Sequence, residues 1–147
     1  MKRNAVNKLI TWKENGTKVP FLLVGTKGTG KTYLAIEFAS AYYPQYLYVN
    51  FELNLTARNY FEKNLSEDML LTEVLSAYFE IDERYLSELI VILDEVSYCP
   101  ILLQKLKNVS QVPIIAIDGQ LSSSGQKQEN ELQICRIYPL GFDEFLS

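Results

Sequence analysis

Residues 25–32 read Gly-Thr-Lys-Gly-Thr-Gly-Lys-Thr, which matches the phosphate-binding pattern G-x-x-x-x-G-K-[ST]. Glycines in this pattern let the backbone turn with its N–H groups directed inward, which forms a concave cradle for anions. Lys31 is predicted to reach the β- and γ-phosphates of a nucleoside triphosphate, and the Thr32 hydroxyl is predicted to bind Mg²⁺. The residues predicted to contact the nucleotide are Gly25, Thr26, Lys27, Gly28, Thr29, Gly30, Lys31, Thr32 and Tyr33.

A pair of acids is the second feature that could do chemistry. Asp94 and Glu95 directly follow five aliphatic residues at 89–93, a run that is typical of a strand buried on both faces. Ligands of open α/β sheets bind at the carboxyl ends of the strands. Asp94 is therefore predicted to hold Mg²⁺ through water, and Glu95 to polarise the water that attacks the γ-phosphate. The alternative is a strand that simply ends in polar residues.

Several apolar segments would have to position these residues. The pattern predicts strands at 21–24, 45–52, 89–93, 114–117 and 134–138, and helices at 4–12, from 32 to about Tyr42, twice within 53–86, and at 100–108. Ser66 or Asp68 is predicted to cap the second helix of the 53–86 segment. Trp12 is predicted to lie in the core, with a cover over adenine as the alternative for its helix. Gln120 follows the 114–117 strand and is predicted to lie beside the γ-phosphate.

Length and composition restrict the class of protein. The chain of 147 residues is predicted to form one domain, and its net charge of −4 does not support nucleic acid as a partner. No apolar run approaches the roughly 20 residues of a membrane span, so a cytoplasmic protein is expected. The chain has two cysteines, Cys99 and Cys135, and no histidine, so packing is their predicted role. Four tyrosines, Tyr42, Tyr43, Tyr46 and Tyr48, could stack on bases, but packing is favoured because no basic residues interleave.

Taken together, these residues resemble the N-terminal ATPase module of AAA-type P-loop ATPases of bacteria and archaea that carry a C-terminal DUF4143 domain. The resemblance rests on Lys2, Arg3, Leu9, Trp12 and Lys13, on residues 25–34, on residues 48–52, on residues 93–95 with Cys99 and Pro100, on Leu106 and Lys107, and on residues 138–146. It implies a three-layer α/β P-loop fold with a parallel sheet of about five strands in the order 5-1-4-3-2. It also implies ATP with Mg²⁺, with Lys31, Glu95 and Gln120 in catalysis and Thr32 and Asp94 on the metal.

The chain departs from this family at a few positions that bear on hydrolysis more than on nucleotide binding. It has Lys27 in place of arginine, Ser97 in place of glutamine, and Asp118-Gly119-Gln120 in place of Thr-Gly-Ser. The resemblance implies a further protein domain as a partner and leaves open a homo-oligomer. Two rival functions stay open, namely a nucleotide-gated switch with little hydrolysis and a small-molecule kinase. The kinase would need several lid arginines, where the chain offers Arg58 and Arg84.

Overall fold

A five-stranded parallel sheet forms the centre of the molecule in a computed structural model, which describes residues 2–16, 19–25, 30–109, 112–119 and 133–136. The strands lie side by side in the order β2-β3-β4-β1-β5. Their bounds are β1 Phe21–Val24, β2 Tyr46–Asn50, β3 Ile90–Asp94, β4 Ile114–Asp118 and β5 Gln133–Arg136. The predicted α/β class and the strand order 5-1-4-3-2 are confirmed, and all four pairings are parallel.

Helices cover both faces of the sheet. The helices are α1 Lys2–Glu14, α2 Lys31–Tyr42, α3 Leu55–Ser66, α4 Leu71–Phe79 and α5 Pro100–Leu106, with 3₁₀ turns at Glu83–Glu88 and Val96–Tyr98. Alternate residues of a strand point to opposite faces. Ile90 and Ile92 of β3 accordingly pack in one apolar cluster with α1 and α2. Val91 and Leu93 pack in the other cluster with α3, α4 and α5. All five residues of β3 are therefore buried, as the aliphatic character of its first four residues predicts.

Trp12 anchors α1 to the sheet. Its side chain is 4% exposed and its ring meets Phe21 edge-on, with 5.6 Å between the ring centroids. The indole N–H donates to the carbonyl of Val19 at 2.6 Å, which satisfies the polar atom of a buried aromatic ring. The predicted role of Trp12 in the core is thus the one observed.

The connection from α3 to α4 differs from the prediction. Ser66 is the last residue of α3 and its hydroxyl donates to the Lys63 carbonyl, while Asp68 has a left-handed backbone with φ of 66°. The prediction that either residue caps α4 is wrong. The helix begins after Leu70, whose N–H donates to the Glu73 carboxylate at 2.9 Å. Glu73 lies in the first turn, so its charge also suits the positive end of the helix dipole.

Within the described residues, no helix combines the length and the apolar character needed to cross a bilayer.

Candidate functional site

Buried charge is concentrated at one place in the described part of the chain. The charged side chains buried there are Lys31, Asp94, Glu95 and Asp118, with exposures of 5%, 2%, 9% and 1%. Asp94, Glu95 and Asp118 lie at or just after the carboxyl ends of β3 and β4, and Lys31 is the first residue of α2, the helix that follows β1. Burial of ionisable groups is costly unless they are paired or bind a ligand, so such a group of residues is a mark of a functional site. Of these groups, Asp94 lies on the face of the sheet that α2 covers.

Thr32 and Asp94 meet at this edge although they are far apart in the chain. The Thr32 hydroxyl donates to Asp94 Oδ2 at 2.6 Å, which joins the first turn of α2 to the end of β3. Asp94 shares a face of β3 with Ile90 and Ile92, which is the face that α2 covers. The strand alternation therefore aims the carboxylate at the start of α2. The two residues predicted to hold Mg²⁺ thus lie in direct contact.

The start of α2 has the backbone that the glycine pattern requires. Gly30 precedes the helix with φ of 85° and ψ of 18°, a left-handed conformation that glycine adopts without strain. The carbonyl of Gly30 accepts the first helical hydrogen bond, from the Leu34 N–H at 3.0 Å. Lys31 begins the helix, and its ammonium donates to the carbonyl of Gly25 at 2.7 Å. The Lys31 side chain therefore reaches from the start of α2 back to the residue that follows β1.

Glu95 occupies an unusual backbone position directly after β3. Its φ is 55° and its ψ is 52°, a left-handed conformation that costs a residue with a side chain about 1–2 kcal/mol. The Glu95 carbonyl accepts from the Tyr98 N–H at 3.2 Å, which starts the 3₁₀ turn Val96–Tyr98. Strain of this kind is common where a functional side chain must leave a strand in a set direction.

Other predicted site residues have different places. Tyr33 is 65% exposed on α2, and Gly25 follows β1, where its N–H donates to the Asp118 carbonyl at 3.2 Å. Asp118 lies on the same face of β4 as Ile114 and Ala116, which pack on the α3–α5 side of the sheet. Asp94 lies on the opposite side, which α2 covers. β4 lies between β1 and β3, as the placement of Gln120 beside the γ-phosphate assumes. Gln120 itself and Thr26, Lys27, Gly28 and Thr29 lie outside the described residues.

One residue in the site was not predicted. Tyr48 of β2 donates its hydroxyl to the same oxygen of Asp94, at 2.5 Å. Burial raises the pKa of Tyr48 to about 12, with further contributions from its hydrogen bond to Asp94 and from the charge of that carboxylate. The phenol therefore stays protonated and acts as a donor at neutral pH. The sequence favours packing for the tyrosine cluster, and only the β2–β3 register relates Tyr48 to Asp94.

Sequence comparison identifies the family. The family model described as AAA domain matches residues 17–146. The chain belongs to this AAA domain family. No curated protein matches the sequence.

Solved structures share the fold of this AAA domain at low sequence identity. C. elegans PCH-2 aligns with a TM-score of 0.58 and 18% identity, over 94% of this chain and 42% of the other. The Walker-type ATPase PABY2304 of Pyrococcus abyssi gives a TM-score of 0.54 and 15% identity, over 99% and 56%. The DnaC helicase loader aligns with a TM-score of 0.54 and 15% identity, over 92% of this chain and 89% of the other. The chain thus spans about half the length of the first two proteins.

The donor set of the AAA domain fits a magnesium ion. Asp94 Oδ1 is buried and has no hydrogen-bond partner among the described residues, although Oδ2 accepts two hydroxyl groups. A buried carboxylate oxygen of this kind needs a donor or a cation. No group of three or more Cys, Asp or Glu side chains within the described ranges forms a metal site by itself. Mg²⁺ needs no such group, because it is usually held by one or two protein oxygens together with phosphates and water.

Proposed function

We propose that this AAA domain binds ATP with Mg²⁺ and hydrolyses it. The observation that carries the proposal is the 2.6 Å hydrogen bond between Thr32 and Asp94. It places the hydroxyl that ends the phosphate-binding pattern against the acid that ends the buried strand. Membership of the AAA domain family supports the nucleotide, and the choice of adenine over guanine rests on the sequence resemblance.

Each predicted residue has a separate task in this proposal. The backbone N–H groups of residues 28–32 bind the phosphates at the start of α2, where the helix dipole also favours anions. Lys31 leaves the Gly25 carbonyl and turns its ammonium to the β- and γ-phosphates. Thr32 and Asp94 are the residues that would hold the metal, with water between Asp94 and the ion. A bound magnesium ion supplies charge neutralisation at the phosphate oxygens.

Glu95 is proposed as the base that orients and polarises the attacking water, with Gln120 as a further contact to that water or to the γ-phosphate. Glu95 directly follows Asp94, the last residue of β3, and both acids are proposed to serve the same pocket. Water activation by a positioned base is worth about 10²- to 10⁴-fold in rate. Lys31 is also proposed as a catalytic residue, because its positive charge would stabilise the phosphoryl group during transfer.

The binding part of the proposal is tested with titrations of ATP and GTP, each with and without Mg²⁺. Lys31→Ala should weaken ATP binding about 10- to 100-fold, since hydrogen bonds to charged groups contribute about 1.5–3 kcal/mol. Lys63→Ala is the matched control, because Lys63 is exposed in the last turn of α3. Equal ATP affinity in the wild-type chain and in Lys31→Ala would contradict the proposed phosphate site.

The hydrolysis part is tested by phosphate release. Glu95→Gln should reduce the rate by about 10²-fold or more. Glu88→Gln should leave the rate unchanged, because Glu88 is exposed near the amino end of β3, at the opposite edge of the sheet. A wild-type chain that binds ATP but releases phosphate no faster than Glu95→Gln is a nucleotide-gated switch. Transfer of phosphate to an added small-molecule acceptor would favour the kinase.

The wider setting of the site is also part of the proposal. Residues 1–147 are proposed to form a single P-loop ATPase domain that acts in the cytoplasm. The resemblance to bacterial and archaeal ATPases with a C-terminal DUF4143 domain supports a further protein domain as its partner. The coverage of only 42% of PCH-2 and 56% of PABY2304 fits a module that works within a larger protein. Assembly of several copies is the corresponding proposal for the oligomer.

A further inference from the structure

Two hydroxyl groups from different elements converge on one oxygen of Asp94. Thr32 donates from α2 at 2.6 Å and Tyr48 donates from β2 at 2.5 Å. Both distances lie in the range of hydrogen bonds from a hydroxyl to an ionised carboxylate, which are about twice as strong as neutral ones. Asp94 thus makes equally close contacts with Tyr48 and with Thr32.

The strand register explains why a tyrosine at position 48 reaches this carboxylate. Tyr48 is paired with Ile92, and Asp94 lies two residues further along β3 on the same face. The side chain of Tyr48 packs against the apolar cluster around α2, and its hydroxyl reaches Asp94 at the carboxyl end of β3. Asn50 supports that hydroxyl from the end of β2, where its Nδ2 lies 3.5 Å from the Tyr48 oxygen.

To keep a fixed orientation, the Asp94 carboxylate needs a hydrogen-bond donor that does not also bind the metal. Rotation of a carboxylate about its last torsion is soft, so a single hydrogen bond orients it loosely. Thr32 is itself assigned to the metal, and its hydroxyl must serve both the ion and the carboxylate. The Tyr48 hydroxyl comes from β2 and has no such second task.

We propose that Tyr48 is a positioning residue, whose hydroxyl holds the Asp94 carboxylate in place and thereby sets the affinity of the site for the metal in its nucleotide complex. The inference rests on the proposed Mg²⁺–ATP function and deepens it. Partners that orient a metal ligand typically contribute about 10- to 100-fold in metal affinity. Tyr48 is thus expected to influence metal binding without contacting the ion or the nucleotide.

The test compares Tyr48→Phe with Tyr46→Phe in otherwise intact chains. Both changes remove one phenolic oxygen from the same face of β2, but Tyr46 is paired with Ile90, two residues further from the strand end. Binding of a fluorescent ATP analogue is titrated with Mg²⁺, and separately in EDTA. Tyr48→Phe should raise the Mg²⁺ concentration at half-maximal binding about tenfold or more and leave the affinity in EDTA unchanged. Tyr46→Phe should match the wild-type chain in both.

The other results overturn the inference in separable ways. Equal Mg²⁺ midpoints for Tyr48→Phe and the wild-type chain would show that Tyr48 does not position Asp94, while the Mg²⁺–ATP proposal would stand. Affinity lost equally with Mg²⁺ and in EDTA would show that Tyr48 only supports the fold near the site. A wild-type chain whose nucleotide binding ignores Mg²⁺ would overturn the proposed function itself, and the positioning role with it.

Discussion

Gly30 and Gly16 have nearly the same backbone conformation, so alanine variants of the two can separate the effect of backbone strain from an effect on nucleotide binding. Gly30 has φ of 85° and precedes α2, whereas Gly16 has φ of 88° and follows α1, outside the phosphate-binding pattern. A Cβ added at either glycine meets no other atom within 4 Å in the described part of the chain. Alanine at either position therefore strains the backbone without creating a contact.

The magnitude follows from the backbone alone. A left-handed residue with a Cβ costs about 1–2 kcal/mol relative to glycine. The loss of freedom in the unfolded chain offsets about 0.4–1 kcal/mol of this. Gly30→Ala and Gly16→Ala should each lower the free energy of unfolding by about 1 kcal/mol, which lowers the melting temperature by about 2–4 °C in a domain near this size. The two variants should thus melt alike.

Nucleotide binding should distinguish them. A shift of the backbone at Gly30 misdirects the N–H groups at the start of α2, so ATP affinity should fall about tenfold or more, given about 1.5–3 kcal/mol for each hydrogen bond to a charged group. Gly16→Ala should bind ATP as the wild-type chain does. Calorimetric melting and ATP titration of both variants provide the measurement. Unchanged ATP affinity in Gly30→Ala would refute the assignment of residue 30 to the phosphate cradle, and unchanged melting temperatures would refute the strain.

Three further predictions concern packing, capping and thiol reactivity. Phe61→Ala should lower the free energy of unfolding by about 3–5 kcal/mol in urea titrations, because the ring is fully buried and packs edge-on against Phe51 at 5.1 Å. Asn54→Ala should cost about 0.5–2 kcal/mol in the same assay, because the Asn54 side chain accepts from the Ala57 N–H at 2.9 Å and so caps α3; Asn54→Asp should retain most of this. Burial raises the pKa of Cys99 to about 11, so in a Cys135→Ser background a thiol reagent at pH 8 should label Cys99 only after denaturation. Labelling of the folded chain at the rate of a free thiol, or a loss below 1 kcal/mol for Phe61→Ala, would contradict the packing described.

Much of the fold could be predicted because two of its central strands are short aliphatic runs that end in an acid. β3 and β4 are buried on both faces, and so they appear in the sequence as continuous apolar segments. The glycine pattern located the junction of β1 and α2 for the same reason, since few other turns require glycine at that spacing. The strand order came from the family resemblance, because periodicity contains no information about which strands are neighbours.

The rest depends on contacts that no local pattern contains. Tyr48 and Asp94 are 46 residues apart, and their contact follows from the β2–β3 register together with the length of a tyrosine side chain. The left-handed backbone of Glu95 could not be predicted from the sequence either, because glutamate has no preference for that conformation. The prediction for the start of α4 is wrong because Ser66 belongs to α3, where its hydroxyl donates to the Lys63 carbonyl. The Leu70 N–H at the start of α4 donates instead to the Glu73 carboxylate.

The strand order also determines at which stage of synthesis the sheet around β1 can form. β1 is synthesised early, but its two neighbours in the sheet, β4 and β5, are synthesised last among the described strands. A nascent chain that has left the ribosome only as far as β3 therefore lacks both of the strands that flank β1. Completion of the sheet therefore waits for the last part of the chain, and such late, long-range pairing is the kind that makes folding slow.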